Sequence, residues 1–165
     1  IHFREIMKDK DLQHVVYLSG ITNEDSLSAH LSSRLTVERE LGLGSYHLTT
    51  LRAGIIIGSG SASFEIIRDL VEKLPLMITP KWLNTKCQPI GVDNVLDCLV
   101  KTLGNEKTYD KNFDIGGPEV MTYKEILLGF AKGDIKRIIT KPKLIYFLGK
   151  IAKSLNGSNN MKNFL

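Results

Sequence analysis

Three strand-like runs in this chain end on residues that could do chemistry. His14-Val15-Val16-Tyr17-Leu18 runs into Ser19-Gly20, the run from Tyr46 to Ile57 contains Arg52-Ala53-Gly54, and Asn112 to Ile115 closes on Gly116-Gly117-Pro118. Open parallel sheets bind ligands beyond the carboxyl ends of their strands, so these are the first positions to read. The Ser19 hydroxyl can orient a carbonyl or a nicotinamide by hydrogen bonding. It can equally satisfy a backbone group at the strand end. Gly58-Ser59-Gly60 carries a G-x-G, but the phosphate-binding fingerprint needs a third glycine and an opening strand within a βαβ unit. It reads better as a strand-to-helix turn that lets a ligand approach the backbone.

Other chemistries find little support. His2, His14, His30 and His47 show no metal-ligand spacing with Asp, Glu or Cys, so no metal is expected. There is no G-x-S-x-G nucleophile turn and no P-loop. Asp93 and Asp97 lie one helical turn apart without an evident partner, and Asp93 is first of all a helix-opening residue favoured by the dipole. Cys87 and Cys98 are too few for a disulfide framework and read as reduced, buried thiols of a cytoplasmic protein. No run approaches the ~18 apolar residues of a membrane span, and no signal peptide is visible.

The net charge of +4 is uneven: residues 132–165 hold eight Lys and Arg against Asp134 alone. That tail has no aromatic ladder and no Arg-rich face, so a solvated basic surface is expected rather than nucleic-acid binding.

The elements that would position the strand ends alternate. Residues 1–10 read as the end of a helix. Leu27, Leu31, Leu35 and Val37 recur at helical spacing over 26–43, with Gly42 and Gly44 as the stop. Residues 46–57 read as one continuous buried strand. Phe64, Ile67, Leu70, Val71 and Leu74 form one face of a helix over 61–74. Short strands are expected at 76–79 and 87–92, and a helix over 93–103 with Val95, Leu96, Leu99, Val100 and Leu103 as its apolar stripe. Thr122 with Glu125 makes a capping box for a helix over 123–131. A last strand at 136–140 and a helix opened by Pro142 complete the pattern. Alternating strands and helices predict an α/β fold with a mainly parallel sheet.

In order and spacing, Tyr17-Leu18-Ser19-Gly20, the helix Leu27 to Arg34, Leu51 to Ser63, Cys87-Gln88-Pro89-Ile90 and Asp114 to Glu119 resemble the atypical, NmrA-like branch of the extended short-chain dehydrogenase/reductases. The likeness covers residues 12–131 and fades in the basic tail. It implies a partial, doubly wound Rossmann-type sheet over 1–131 and a helical tail over 132–165. It also implies a nicotinamide dinucleotide, NAD or NADP, and a small carbonyl or sugar substrate. Carried over by position, Ser19, Gly20, Arg52, Ala53, Gly54 and Ile56 would line the cofactor, and Gln88, Val92, Asp93, Gly116 and Gly117 the substrate cleft.

Two departures follow from the same resemblance. Active members place a Tyr and a Lys four residues apart on the helix after the serine strand, the Lys lowering the Tyr pKa for proton exchange. Here the matching positions hold His30 and Arg34, which helical spacing keeps on one face. Imidazole can exchange a proton near neutral pH but is shorter than a phenol, and Arg does not simply replace Lys. Ser19, His30 and Arg34 are therefore the candidate catalytic group. The chain also opens on Ile1, with no counterpart of the family's amino-terminal strand, glycine turn and helix that hold the pyrophosphate. Two functions are expected: an oxidoreductase or nucleotide-sugar-epimerase-like enzyme, or a non-catalytic dinucleotide sensor or scaffold.

Overall fold

The computed structural model describes residues 2–8, 10–21, 29–73 and 80–133. The expected strand at 76–79, Leu27, Leu74 and the elements beyond 133 lie outside these residues. The described residues divide into two compact units: Ile1–Ala53 with Asp97–Ile115, and Gly54–Leu96 with residues 116–133. Both fall within the span read as one Rossmann-type part.

The first unit holds a parallel sheet of β1 (His14–Gly20), β2 (His47–Ala53) and β6 (Lys111–Ile115), in the order β1-β2-β6. Helices α1 (His2–Met7) and α2 (Ala29–Leu41) precede β1 and β2. Register pairs Ser19 with Arg52 and Arg52 with Asp114, so these three side chains share one face near the carboxyl edge. Leu51, Phe113 and Ile115 fill the other face and are essentially inaccessible. The outer edge of β1 has no strand partner among the described residues.

The second unit contains β3 (Ile56–Ile57), α3 (Ala62–Lys73), β4 (Lys86–Cys87), β5 (Ile90–Gly91), β7 (Met121–Thr122) and α5 (Tyr123–Ala131). Strands β3 and β5 pair in parallel, and β4 pairs antiparallel with β7. Ile55, Ile57, Ile67, Leu83, Ile126 and Leu127 form its core, with Phe64, Leu70 and Val71 packed against it, so the α3 face is the one its helical spacing predicts. The capping box also forms: Thr122 N–H donates to Glu125 Oε2 at 2.7 Å and Glu125 N–H to Thr122 Oγ1 at 3.2 Å.

Helix α4 (Val92–Thr102) runs from one segment into the next. Three expectations need correcting. The continuous strand over 46–57 breaks at a bend at Gly54, after which the Ile55 carbonyl accepts from Ile90 N–H at 2.9 Å and the chain joins a different sheet. The strand over 87–92 breaks because Pro89 has no N–H for a ladder, and Val92 already opens α4. The buried line of α4 is Val95, Cys98 and Thr102, whereas Leu96, Val100 and Leu103 are 54%, 75% and 64% exposed. Counting only aliphatic residues as inward misplaced that face, because small Cys and Thr side chains occupy it.

Candidate functional site

Ser19 sits at the carboxyl end of β1, 3% exposed, and its hydroxyl has no hydrogen-bond partner among the described residues. A buried hydroxyl left unpaired costs roughly 1–3 kcal/mol. The next residue, Gly20, lets α2 approach closely: a Cβ there would lie 3.0 Å from Leu31 Cδ2.

Helix α2 brings His30 and Arg34 to this end of the sheet. Arg34 Nη1 donates to the Leu18 carbonyl at 3.4 Å, and Arg34 Nε donates to His30 Nε2 at 3.1 Å. In the second bond Nε2 is the acceptor. The i, i+4 pairing expected from sequence is thus made, with Arg34 as the tether.

Arg52 is engaged elsewhere. Its Nη2 and Nε donate to the two oxygens of Glu38 on α2 at 2.5 and 3.3 Å, and the two side chains are only 10% and 9% exposed. Glu38 was not singled out from sequence. Its signal is there, since Leu31, Leu35 and Glu38 lie on one helical stripe and the Glu takes an inward slot. A carboxylate in an apolar stripe and an arginine in an apolar strand are each costly alone and compatible together. Thr50 Oγ1 is a second unpartnered buried hydroxyl, and register puts it on the face of Ser19 and Arg52. Ala53 closes β2, where its carbonyl accepts from Ile21 N–H at 3.1 Å.

The substrate-cleft positions lie in the other unit, along with Gly54 at the exposed bend and Ile56 in β3. Gln88, Gly116 and Gly117 interlock. Gln88 Nε2 donates to the Gly117 carbonyl at 2.6 Å, and Gly117 N–H donates to the Pro89 carbonyl at 2.9 Å. A Cβ on Gly117 would collide with that same Pro89 oxygen. Asp93 is exposed in the first turn of α4. Val92 packs directly on Gly58, so that glycine admits a side chain of the protein itself rather than leaving its backbone open. Among the described residues no group of His, Cys, Asp and Glu could hold a metal ion.

No protein-family model matches the chain, and no curated protein does. Solved structures do. A UDP-glucuronic acid 4-epimerase from Bacillus cereus in complex with NAD matches with a TM-score of 0.64 at 18% identity, over 79% of this chain and 49% of that one. The Bordetella bronchiseptica enzyme WbmF in complex with NAD+ matches at 0.62 and 14%, over 86% and 50%. The UDP-glucose 4-epimerase of Thermus thermophilus in complex with NAD matches at 0.59 and 16%, over 79% and 51%. The chain has their Rossmann-type fold. It spans about half the length of each of these proteins. Within the described residues no helix is long and apolar enough to cross a membrane.

Proposed function

We propose that this chain is part of a cytoplasmic, NAD(P)-binding protein of the short-chain dehydrogenase/reductase type, an oxidoreductase or nucleotide-sugar-epimerase-like enzyme. The observation that carries the reading is Ser19. It is a buried, unpartnered hydroxyl at the carboxyl edge of a parallel sheet whose fold is shared with proteins solved in complex with NAD. The fit is to the nicotinamide end of the cofactor. Ser19 and Gly20 would lie against the ring or its amide, with Ala53 closing the neighbouring strand end. Gly58-Ser59-Gly60, which opens α3, is a poor phosphate cradle because Val92 fills the space at Gly58. A bound nicotinamide would supply or take the hydride.

The chain's own residues would then position and exchange a proton. Ser19 O–H donates to a carbonyl oxygen, fixing it for reduction. In this geometry the Nε2 lone pair with which His30 would accept a proton is occupied by Arg34 N–H. As a base it would first have to part from Arg34. That restriction favours a second reading, a dinucleotide sensor or scaffold without proton-transfer chemistry.

Titration of NADH into the chain tests the reading. We expect a dissociation constant no tighter than about a millimolar, since the described residues offer no phosphate-cradling helix end, with further weakening by Ser19→Ala. Low-micromolar binding that ignores Ser19→Ala would overturn this assignment and direct attention to Gly58–Ser61. In a protein with turnover, His30→Ala should cut kcat about a hundredfold if His30 moves the proton, and leave cofactor affinity alone. Unchanged kcat would show that His30 moves no proton, and absence of turnover would select the sensor reading.

A further inference from the structure

Helix α4 presents its side chains unlike an ordinary surface helix. Such a helix keeps its aliphatic residues inward and its polar residues out. In α4 the inward line includes the small side chains of Cys98 and Thr102, while Leu96, Val100 and Leu103 are each more than half exposed. The Leu103 N–H donates to the Leu99 carbonyl at 3.0 Å, so the helical path carries on to Leu103. At 3.6 residues per turn the three side chains fall within about 60° of one another and form one stripe. Apolar residues scattered singly on a surface need no explanation, but a contiguous stripe marks a surface that another molecule covers.

The charges beside the stripe select the partner and its direction. Asp93, Asp97 and Lys101 recur at four-residue spacing along the flank next to Val100, and all three are exposed. Asp97 and Lys101 stand 3.9 Å apart and are 60% and 50% exposed, so their own ion pair is loose and screened by water. The flank is therefore acidic toward the amino end of the helix and basic toward its carboxyl end.

That polarity is complementary to itself when reversed. With α4 laid antiparallel on a second copy and Val100 at the two-fold axis, Leu96 meets Leu103 of the partner subunit. Asp97 then comes level with Lys101 of the partner subunit, offset by only about 2 Å along the helix. The two helix dipoles run in opposite directions, which is the favourable arrangement. A parallel pairing would instead set aspartate against aspartate and lysine against lysine.

We propose that α4 is a self-association surface, on which two copies of this chain pair antiparallel through Leu96, Val100 and Leu103, with Asp97 of each against Lys101 of the other. One helix face buries less than the ~1,200 Å² of a standard stable interface, so the dimer is weak, with a Kd of about 100 µM. This surface is independent of the dinucleotide reading, and either can fail without the other.

Sedimentation equilibrium of the full 165-residue chain, from about 20 µM to about 1 mM, is the test. A monomer–dimer equilibrium with nothing larger is expected, because a two-fold pairing closes on itself. Val100→Lys, at a position 75% exposed, sets two like charges at the axis and should give a monomer with an unchanged circular dichroism spectrum. Asp97→Lys gives each copy two lysines on the flank, and Lys101→Asp gives each copy two aspartates. Either protein alone should dimerise about fivefold more weakly, or worse. An equimolar mixture of the two should return to within about twofold of the wild-type affinity, since the lysines of one then face the aspartates of the other. An ion pair within a single helix cannot produce that recovery. The proposal is overturned by a chain that stays monomeric at about 1 mM, or by a Val100→Lys protein that dimerises like wild type. Assembly beyond the dimer, or a mixture no tighter than its components, overturns it equally.

Discussion

Breaking the Arg52–Glu38 pair should damage the molecule far more than removing both of its members. The two side chains are about nine-tenths buried and joined by two hydrogen bonds, so each neutralises a charge that water cannot reach. Exposed ion pairs contribute at most about 1 kcal/mol. Truncating one partner of a buried pair costs about 3–5 kcal/mol, because the other charge is left desolvated and alone. Against a typical domain stability of about 5–15 kcal/mol, that is about a fifth or more of the total. The loss should be local as well as global, since α2 has a single buried residue, Glu38 itself, and its other inward residues, Leu31, Arg34, Leu35, Glu40 and Leu41, are only half-buried. Urea unfolding followed by far-UV circular dichroism measures the cost for Glu38→Gln, Arg52→Met and the Glu38→Leu/Arg52→Met double variant. The singles should each lose about 3 kcal/mol or more, and the double should recover most of that loss. Amide exchange should rise in α2 before β2. A cost below about 1 kcal/mol for either single, or a double variant no better than the worse single, would refute the reasoning.

Acid should weaken the first unit through His14. Gly104 N–H donates to His14 Nδ1 at 2.9 Å, so the ring proton is on Nε2 and meets Thr49 Oγ1 at 2.9 Å. Burial, reinforced by the nearby His47 and opposed by Asp110, holds the His14 pKa below its ordinary 6.5. The unfolded chain then takes up the proton first. Its contribution to stability is complete above 6.5 and falls as pH drops from there toward the folded value. Urea midpoints between about pH 8 and 5 should decline in wild type and flatten in His14→Phe, and identical slopes would contradict this. Gly117→Ala should cost about 1–3 kcal/mol by forcing the Pro89 carbonyl away, read as a lowered Tm. Gly60→Ala, strained only by a φ of +84° with open space at its Cβ, should cost about 1 kcal/mol. A Gly117→Ala protein as stable as wild type would show that the interlock yields freely.

The sheet was legible because its three strands are apolar runs closed by glycine or small residues, and the helices because their caps and spacing are local. What sequence could not place was set by contacts distant along the chain. Residues 46–57 look like one strand until Ile90 captures the Ile55 carbonyl. The inward face of α4 depends on where Cys98 and Thr102 fit, not on the count of aliphatic residues. Ser19 was identifiable from its position, but its unpaired hydroxyl is a property of the packed structure. Arg52 was assigned to the cofactor side from the resemblance alone, and nothing in that assignment indicated that Glu38 holds its guanidinium. A charge within an apolar stripe is the signal that would have joined those two residues.

The central claim is that the carboxyl edge of the β1-β2-β6 sheet receives the nicotinamide end of a dinucleotide. Amide chemical-shift mapping of the 165-residue chain during NAD+ titration tests it residue by residue, even at weak affinity. The account predicts saturable shifts centred on Ser19, Gly20 and Ala53, lost in Ser19→Ala, with β1's opposite end at His14 unmoved. Saturable shifts centred elsewhere, or none at these three amides by about 10 mM NAD+, would contradict it.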